Sequence, residues 1–241
     1  MKTTRIYISV ILLSLFAFFS CGDQKTSTDN IENEQTELKV EEETVEINGV
    51  KHFIKKMGSG KPILVLHGGP GMFPQDTSSI TTANFVEDLE SIRNHLKIEK
   101  LNLAGHSWGA ALAISYGKKY PEHLNKLVLI SPAPATSEYF DQMFNNMQKK
   151  RSDKDTKELV KLMSSKEFEK REPKTFLKAV SLGDKVNLVN QKSVTELYKP
   201  MTFTKASANN FLLVNSIMEK NFFDYNLTEG IDMIQCPSLI I

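Results

Sequence analysis

A chain of 241 residues is long enough for one large domain, or for one domain carrying an inserted cap. Thirty lysines and arginines against 29 aspartates and glutamates leave a formal charge of +1, and no basic run interrupts that balance, so nothing points to nucleic acid as a partner. Two cysteines cannot form a disulfide framework or a cysteine-based metal site.

The first residues differ in texture from the rest. Lys2 and Arg5 precede an apolar run from Ile6 to Ser20, which has signal-peptide length and is too short for a comfortable membrane span. It ends in Ser20-Cys21-Gly22, which resembles a bacterial lipoprotein signal with Cys21 as the lipidated residue, although Phe18 and Phe19 depart from the usual leucine-plus-small pattern. An uncleaved anchor helix and an ordinary signal with an incidental cysteine are the alternatives. Residues 1–20 are thus expected to be a signal peptide. Residues 21–42, polar with almost nothing apolar, are expected to be a flexible tether. The implied setting is a cell envelope, with the domain lipid-anchored on a periplasmic or outer-membrane face.

Residues 43–136 read as an α/β core. Thr44–Ile47 and Val50–Ile54 flank Asn48-Gly49, a strong hairpin signal. Pro62-Ile-Leu-Val-Leu66 is an unbroken apolar run of the kind buried in a parallel sheet, and His67-Gly68-Gly69-Pro70-Gly71 follows it directly. Glycines there expose backbone N–H groups at the end of a strand. From Thr82 to Leu96, Phe85, Val86, Leu89, Ile92 and Leu96 recur at helical spacing, with Glu87, Asp88, Glu90 and Arg93 expected on the polar side.

The stretch Leu101-Asn-Leu-Ala-Gly105-His106-Ser107-Trp108-Gly109-Ala-Ala-Leu predicts a strand, a G-x-S-x-G turn and a helix. Gly105 and Gly109 leave room for a turn tight enough to lift Ser107 Oγ to the sheet's end. The N–H of Trp108, at the helix start, would face an oxyanion forming there. Lys126–Ile130 is another apolar strand, closed by Ser131-Pro132-Ala133-Pro134. Alternating strands and helices imply a mostly parallel sheet.

Residues 137–228 are poor in glycine and carry Tyr139, Phe140, Met143, Met147, Leu159, Val160, Leu162, Met163, Phe176 and Val180 at helical spacing, which predicts a helical cap with those residues in its core. Strand texture returns in Met233–Ile241, within residues 229–241, and Cys236 is expected to fill that strand's core.

His67-Gly-Gly-Pro-Gly71 followed by Gly105-His-Ser-Trp-Gly109 resembles the α/β-hydrolase fold, and within it the proline iminopeptidase (prolyl aminopeptidase) family of serine peptidases. The resemblance is strong over 45–134 and loose through the cap. It implies Ser107 as nucleophile, Trp108 with Gly68 or Gly69 as the oxyanion hole, and His67, Gly71, Gly105, His106 and Gly109 as motif positions. The implied reaction releases an N-terminal residue, proline or similar, from a peptide with a free N-terminus, without cofactor or metal.

Three departures accompany it. The hydrolase order is serine, then acid, then histidine, yet His52, His67, His95, His106 and His123 all precede the cap or lie within the core, and no acid follows the final strand. The family's further strand between HGGPG and the following helix is absent, which predicts a strand lacking a neighbour. Trp108 is also the only tryptophan. The expected fold is therefore an α/β-hydrolase-like sheet with a helical cap, lacking one internal strand and the C-terminal strand and helix, and inactive for want of a triad acid and histidine. A non-catalytic hydrolase-like lipoprotein that binds peptides or small ligands, and an esterase with the same nucleophile, are the alternatives.

Overall fold

The computed structural model describes residues 39–68, 80–221 and 226–241. The signal, the lipidation position Cys21 and most of the tether lie outside these residues, as do Gly69 and Gly71. Among these residues there are six strands: β1 Val40–Ile47, β2 Val50–Met57, β3 Ile63–Leu66, β4 Leu101–His106, β5 Leu124–Ile130 and β6 Ser238–Ile240. The helices are α1 Thr82–His95, α2 Trp108–Lys119, α3 Phe140–Lys150, α4 Asp153–Met163, α5 Lys166–Glu169, α6 Pro173–Asp184, α7 Val194–Tyr198 and α8 Lys205–Asn221.

Strands β3 to β6 form one parallel sheet in the order β3-β4-β5-β6, with α1 and α2 as the crossovers of the first two steps. Period-2 alternation decides which residues become core. Leu64, Leu66, Leu101, Leu103, Leu127 and Leu129 point to the face packed by α1 and α2, where they meet Val86, Leu89, Leu112 and Ile114. Each fully buried leucine of this set is worth about 1.5–3 kcal/mol. The intervening residues Ile63 and Val65 stand 64% and 58% exposed on the other face. Such exposure is unusual in a parallel sheet, whose two faces are ordinarily covered.

Among the described residues β3 pairs only with β4, so the strand expected to lack a neighbour is an edge. The hairpin β1–β2 is a separate two-stranded sheet. Asn48 and Gly49 both have positive φ, 53° and 77°, as a tight two-residue hairpin turn requires. The hairpin is tied to α1 by side chains: Asn48 Nδ2 donates to Asp88 (2.8 Å), while His52 lies 3.6 Å from Asp88 and His95 3.6 Å from Glu43.

Several expectations change. Strand β1 begins at Val40, four residues before Thr44 and inside the stretch expected to be tether. The acidic run pairs across the hairpin, Glu42 with Lys55 (3.1 Å) and Glu43 with Lys56 (2.8 Å). Asp88 and Arg93, expected on the polar side of α1, are buried. Asp88 lies under the hairpin, and Arg93 folds back to the carbonyls of Ile98 and Glu99 (2.5 and 3.1 Å). The strand expected over Met233–Ile241 is shorter, because Ile231–Met233 forms a 3-10 turn before β6.

Every regular element described between Ser137 and Asn221 is helical. The core of this region is aromatic: Phe176 is stacked on Phe168 (5.0 Å) and edge-on to Phe211 (5.4 Å), with Phe203 beside it (5.6 Å). Leu159 is buried as expected, whereas Tyr139 and Val160 are exposed and α3, with Met143 and Met147, has no fully buried residue. Cys236 is half-buried and packs against the core.

Candidate active site

Ser107 sits between β4 and α2 with φ 54° and ψ −118°. An ordinary serine at that point would take extended backbone and use its hydroxyl to cap the helix, as Thr81 does for α1 with φ −135° and a bond from the Asn84 N–H (3.1 Å). Ser107 does neither: its side chain makes no cap hydrogen bond. A non-glycine residue held in that region costs about 1–3 kcal/mol, a strain found where a side chain must be presented. The hydroxyl lies at the positive end of α2, whose first N–H belongs to Trp108.

The flanking glycines show why the turn closes. A Cβ on Gly105 would come within 2.3 Å of the Gly109 carbonyl oxygen and 2.6 Å of Ala110 Cα. On Gly109 it would meet the carbonyl oxygens of Leu66 and His67 at 2.5 and 2.6 Å. The second contact brings the end of β3 against the first turn of α2, so the Leu66 and His67 backbone lies beside Gly109. The His67 Nδ1–H donates to the Gly68 carbonyl (2.9 Å). His106, the last residue of β4, is half-buried, and burial pushes its imidazole pKa down, which favours the neutral ring. Trp108 is half-buried and edge-on to Phe85 of α1 (5.3 Å).

Behind the elbow, Glu90 of α1 ties the two crossover helices together. Its carboxylate accepts from Arg93 Nε and Nη2 (2.9 and 2.7 Å) and from Tyr116 Oη (2.8 Å). The Arg93 guanidinium holds the Glu90 pKa at about 2, and burial together with Glu90 raises that of Tyr116. His123 joins this cluster at 3.2 Å from Glu90 and stacks on Tyr120 (5.9 Å). A polar face read from α1 alone cannot show that a second helix supplies a tyrosine to it.

A sequence profile of the alpha/beta hydrolase fold family matches residues 69–156. The thioesterase domain from the curacin biosynthetic pathway superposes with a TM-score of 0.52 at 16% identity, covering 84% of this chain and 82% of that one.

The chain has the α/β-hydrolase fold.

Its sequence kinship is with the proline iminopeptidases, which places it in the hydrolase class of enzymes. It is 25% identical over 215 residues to that of Heyndrickxia coagulans, covering 76% of this chain and 73% of the relative. It is 26% identical over 250 residues to that of Saccharolobus solfataricus, covering 84% and 76%.

Proposed function

We propose that this hydrolase acts by nucleophilic attack of Ser107 on the carbonyl carbon of a peptide's N-terminal residue, proline or a similar one. The N–H of Trp108 and an N–H of the Gly68–Gly69 pair receive the negative charge on the carbonyl oxygen. The observation that carries the reading is the left-handed, uncapped Ser107 at the start of α2. The peptide substrate is supported by the proline iminopeptidases this chain is similar to.

Attack needs a base to take the Ser107 proton. His52, His95 and His123 are engaged with Asp88, Glu43 and Glu90, and are spent on holding the hairpin and the two helices. With three of its five histidines so engaged, the 241-residue chain is expected to turn over slowly, with what the oxyanion hole and binding supply. Proline p-nitroanilide and a p-nitrophenyl ester, each compared with Ser107→Ala and with added imidazole as an external base, test this. The expected result is turnover no faster than that of Ser107→Ala without imidazole, and a Ser107-dependent gain on the anilide with it. Gain on the ester alone makes the chain an esterase. No Ser107-dependent gain on either overturns the hydrolytic reading and favours a binding protein.

We further propose that Cys21 carries a lipid that tethers the domain to a membrane. The apolar run before it supports this. Incorporation of labelled palmitate that is lost in Cys21→Ser is the expected result; equal incorporation by both chains contradicts it.

A further inference from the structure

We infer that Ser131–Ala133, the segment leaving β5, is the positioning element that holds Ser107 in its left-handed conformation. For its functional meaning this rests on Ser107 being the nucleophile; the physical tie does not. Ser107 N–H donates to the Ile130 carbonyl (3.0 Å), and the Ser107 carbonyl accepts from Ala133 N–H (3.3 Å) as well as from Ala110 N–H in the helix's own first turn (3.0 Å). Both peptide groups of the strained serine are thus gripped by one short stretch of a neighbouring strand's exit. To grip both, the chain must abandon the strand direction after Ile130 and bring an N–H back over Ser107 within three residues.

Ser131 makes that reversal. Its φ of 40° is left-handed, so two strained non-glycine residues stand next to each other across the β4–β5 pair. Pro132 follows, with its φ fixed by the ring and no N–H to compete for the Ser107 carbonyl. The reversal is anchored from the other side: Ser131 N–H donates to the Ile241 carbonyl (2.6 Å), and Ile241 N–H donates to Leu129 (2.9 Å). The Ser131 side chain is exposed, so what the residue supplies is its backbone conformation. Asparagine tolerates that conformation and a β-branched residue does not. Nothing in the Ser-Pro-Ala-Pro sequence beyond its prolines announces this.

The test compares Ser131→Val with Ser131→Asn, reading the rate at which a fluorophosphonate modifies Ser107 with imidazole added as the external base and, in parallel, the melting temperature. Valine should drag Ala133 off the Ser107 carbonyl and slow modification by about tenfold or more, the scale on which small misplacements of a reacting atom act. Asparagine should keep the wild-type rate. A merely structural role would lower the melting temperature and leave the rate per folded molecule unchanged. Ser131→Ala, a milder change, carries the comparison if the valine chain does not fold. Equal rates in folded variants overturn the proposal. If the wild type itself is not modified at Ser107, the hydrolase reading fails, and amide hydrogen exchange decides the tie separately. Faster exchange of the Ser107 and Ala133 amides in the valine variant, but not in the asparagine one, upholds it; unchanged exchange refutes it.

Discussion

Replacing Gly105 by alanine tests the elbow without touching the serine. The added methyl would stand 2.3 Å from the Gly109 carbonyl oxygen and 2.6 Å from both Gly109 C and Ala110 Cα, where ordinary contact begins at 3.4 Å. All three obstacles are backbone of α2, so no side chain can rotate away. The helix start must retreat by about 1 Å, or the turn must open. Overpacking of this kind costs about 3 kcal/mol, the upper end of its usual range. In a chain of this length each kcal/mol lowers the melting temperature by about 2–4 °C, so Gly105→Ala should melt roughly 6–12 °C below wild type. Gly183 is the control: in α6 its added Cβ meets nothing within 4 Å. Gly183→Ala should gain about 0.5–1 kcal/mol through lost unfolded-state freedom. Thermal unfolding followed by circular dichroism reads both. A Gly105→Ala chain that melts like the wild type would refute the tight turn and the geometry built on it.

Other substitutions separate the elements of the fold. Ser107→Gly should abolish Ser107-dependent chemistry and yet raise stability by about 1 kcal/mol in urea titrations, because glycine relieves the positive φ. Glu90, its pKa depressed to about 2 from 4.5, contributes stability that is present above the unfolded value and lost as pH falls through the folded one. Glu90→Gln should therefore cost about 2 kcal/mol at pH 7, with the difference from wild type shrinking below pH 4.5 and vanishing near pH 2 in denaturation at a series of pH values. Phe176→Ala, at a fully buried position among three phenylalanines, should cost about 3–5 kcal/mol by the same titration. Ile63→Lys, on the exposed face of the edge strand β3, should change stability by less than about 0.5 kcal/mol while reducing concentration-dependent association in sedimentation velocity.

What could be read in advance was what local pattern determines. The apolar runs at Ile63–Leu66, Leu101–Leu103 and Leu127–Ile130 became parallel strands because each buries alternate residues against α1 and α2. Glycines at 105 and 109 became the close approaches their spacing implied. The Asn48-Gly49 turn formed for the same reason, in that few residues accept positive φ. What escaped depends on partners distant in sequence. The Val40–Glu43 strand looks like tether until Lys55 and Lys56 are seen opposite it. Arg93 and Asp88 look solvated until the hairpin and the Ile98–Glu99 turn cover them. His123 looks like a loop residue until Glu90 reaches it from another helix. Within the candidate site, the tight turn at Ser107 was legible from the spacing of Gly105 and Gly109. Ser131 and Ala133 were not, because a left-handed residue outside a glycine motif leaves no mark on composition or period.

The central claim is that Ser107 is presented as a nucleophile, and the most direct measurement is to map the adduct left by a fluorophosphonate on the intact chain. Digestion by trypsin places Ser107 and Ser115 on the same peptide, from Leu101 to Lys118, so fragmentation distinguishes the elbow serine from one in mid-helix. With imidazole supplied as the external base, one adduct per chain is expected, on Ser107 and absent from Ser107→Ala. An adduct on Ser115 or elsewhere, or a chain that stays unmodified while folded, would contradict it.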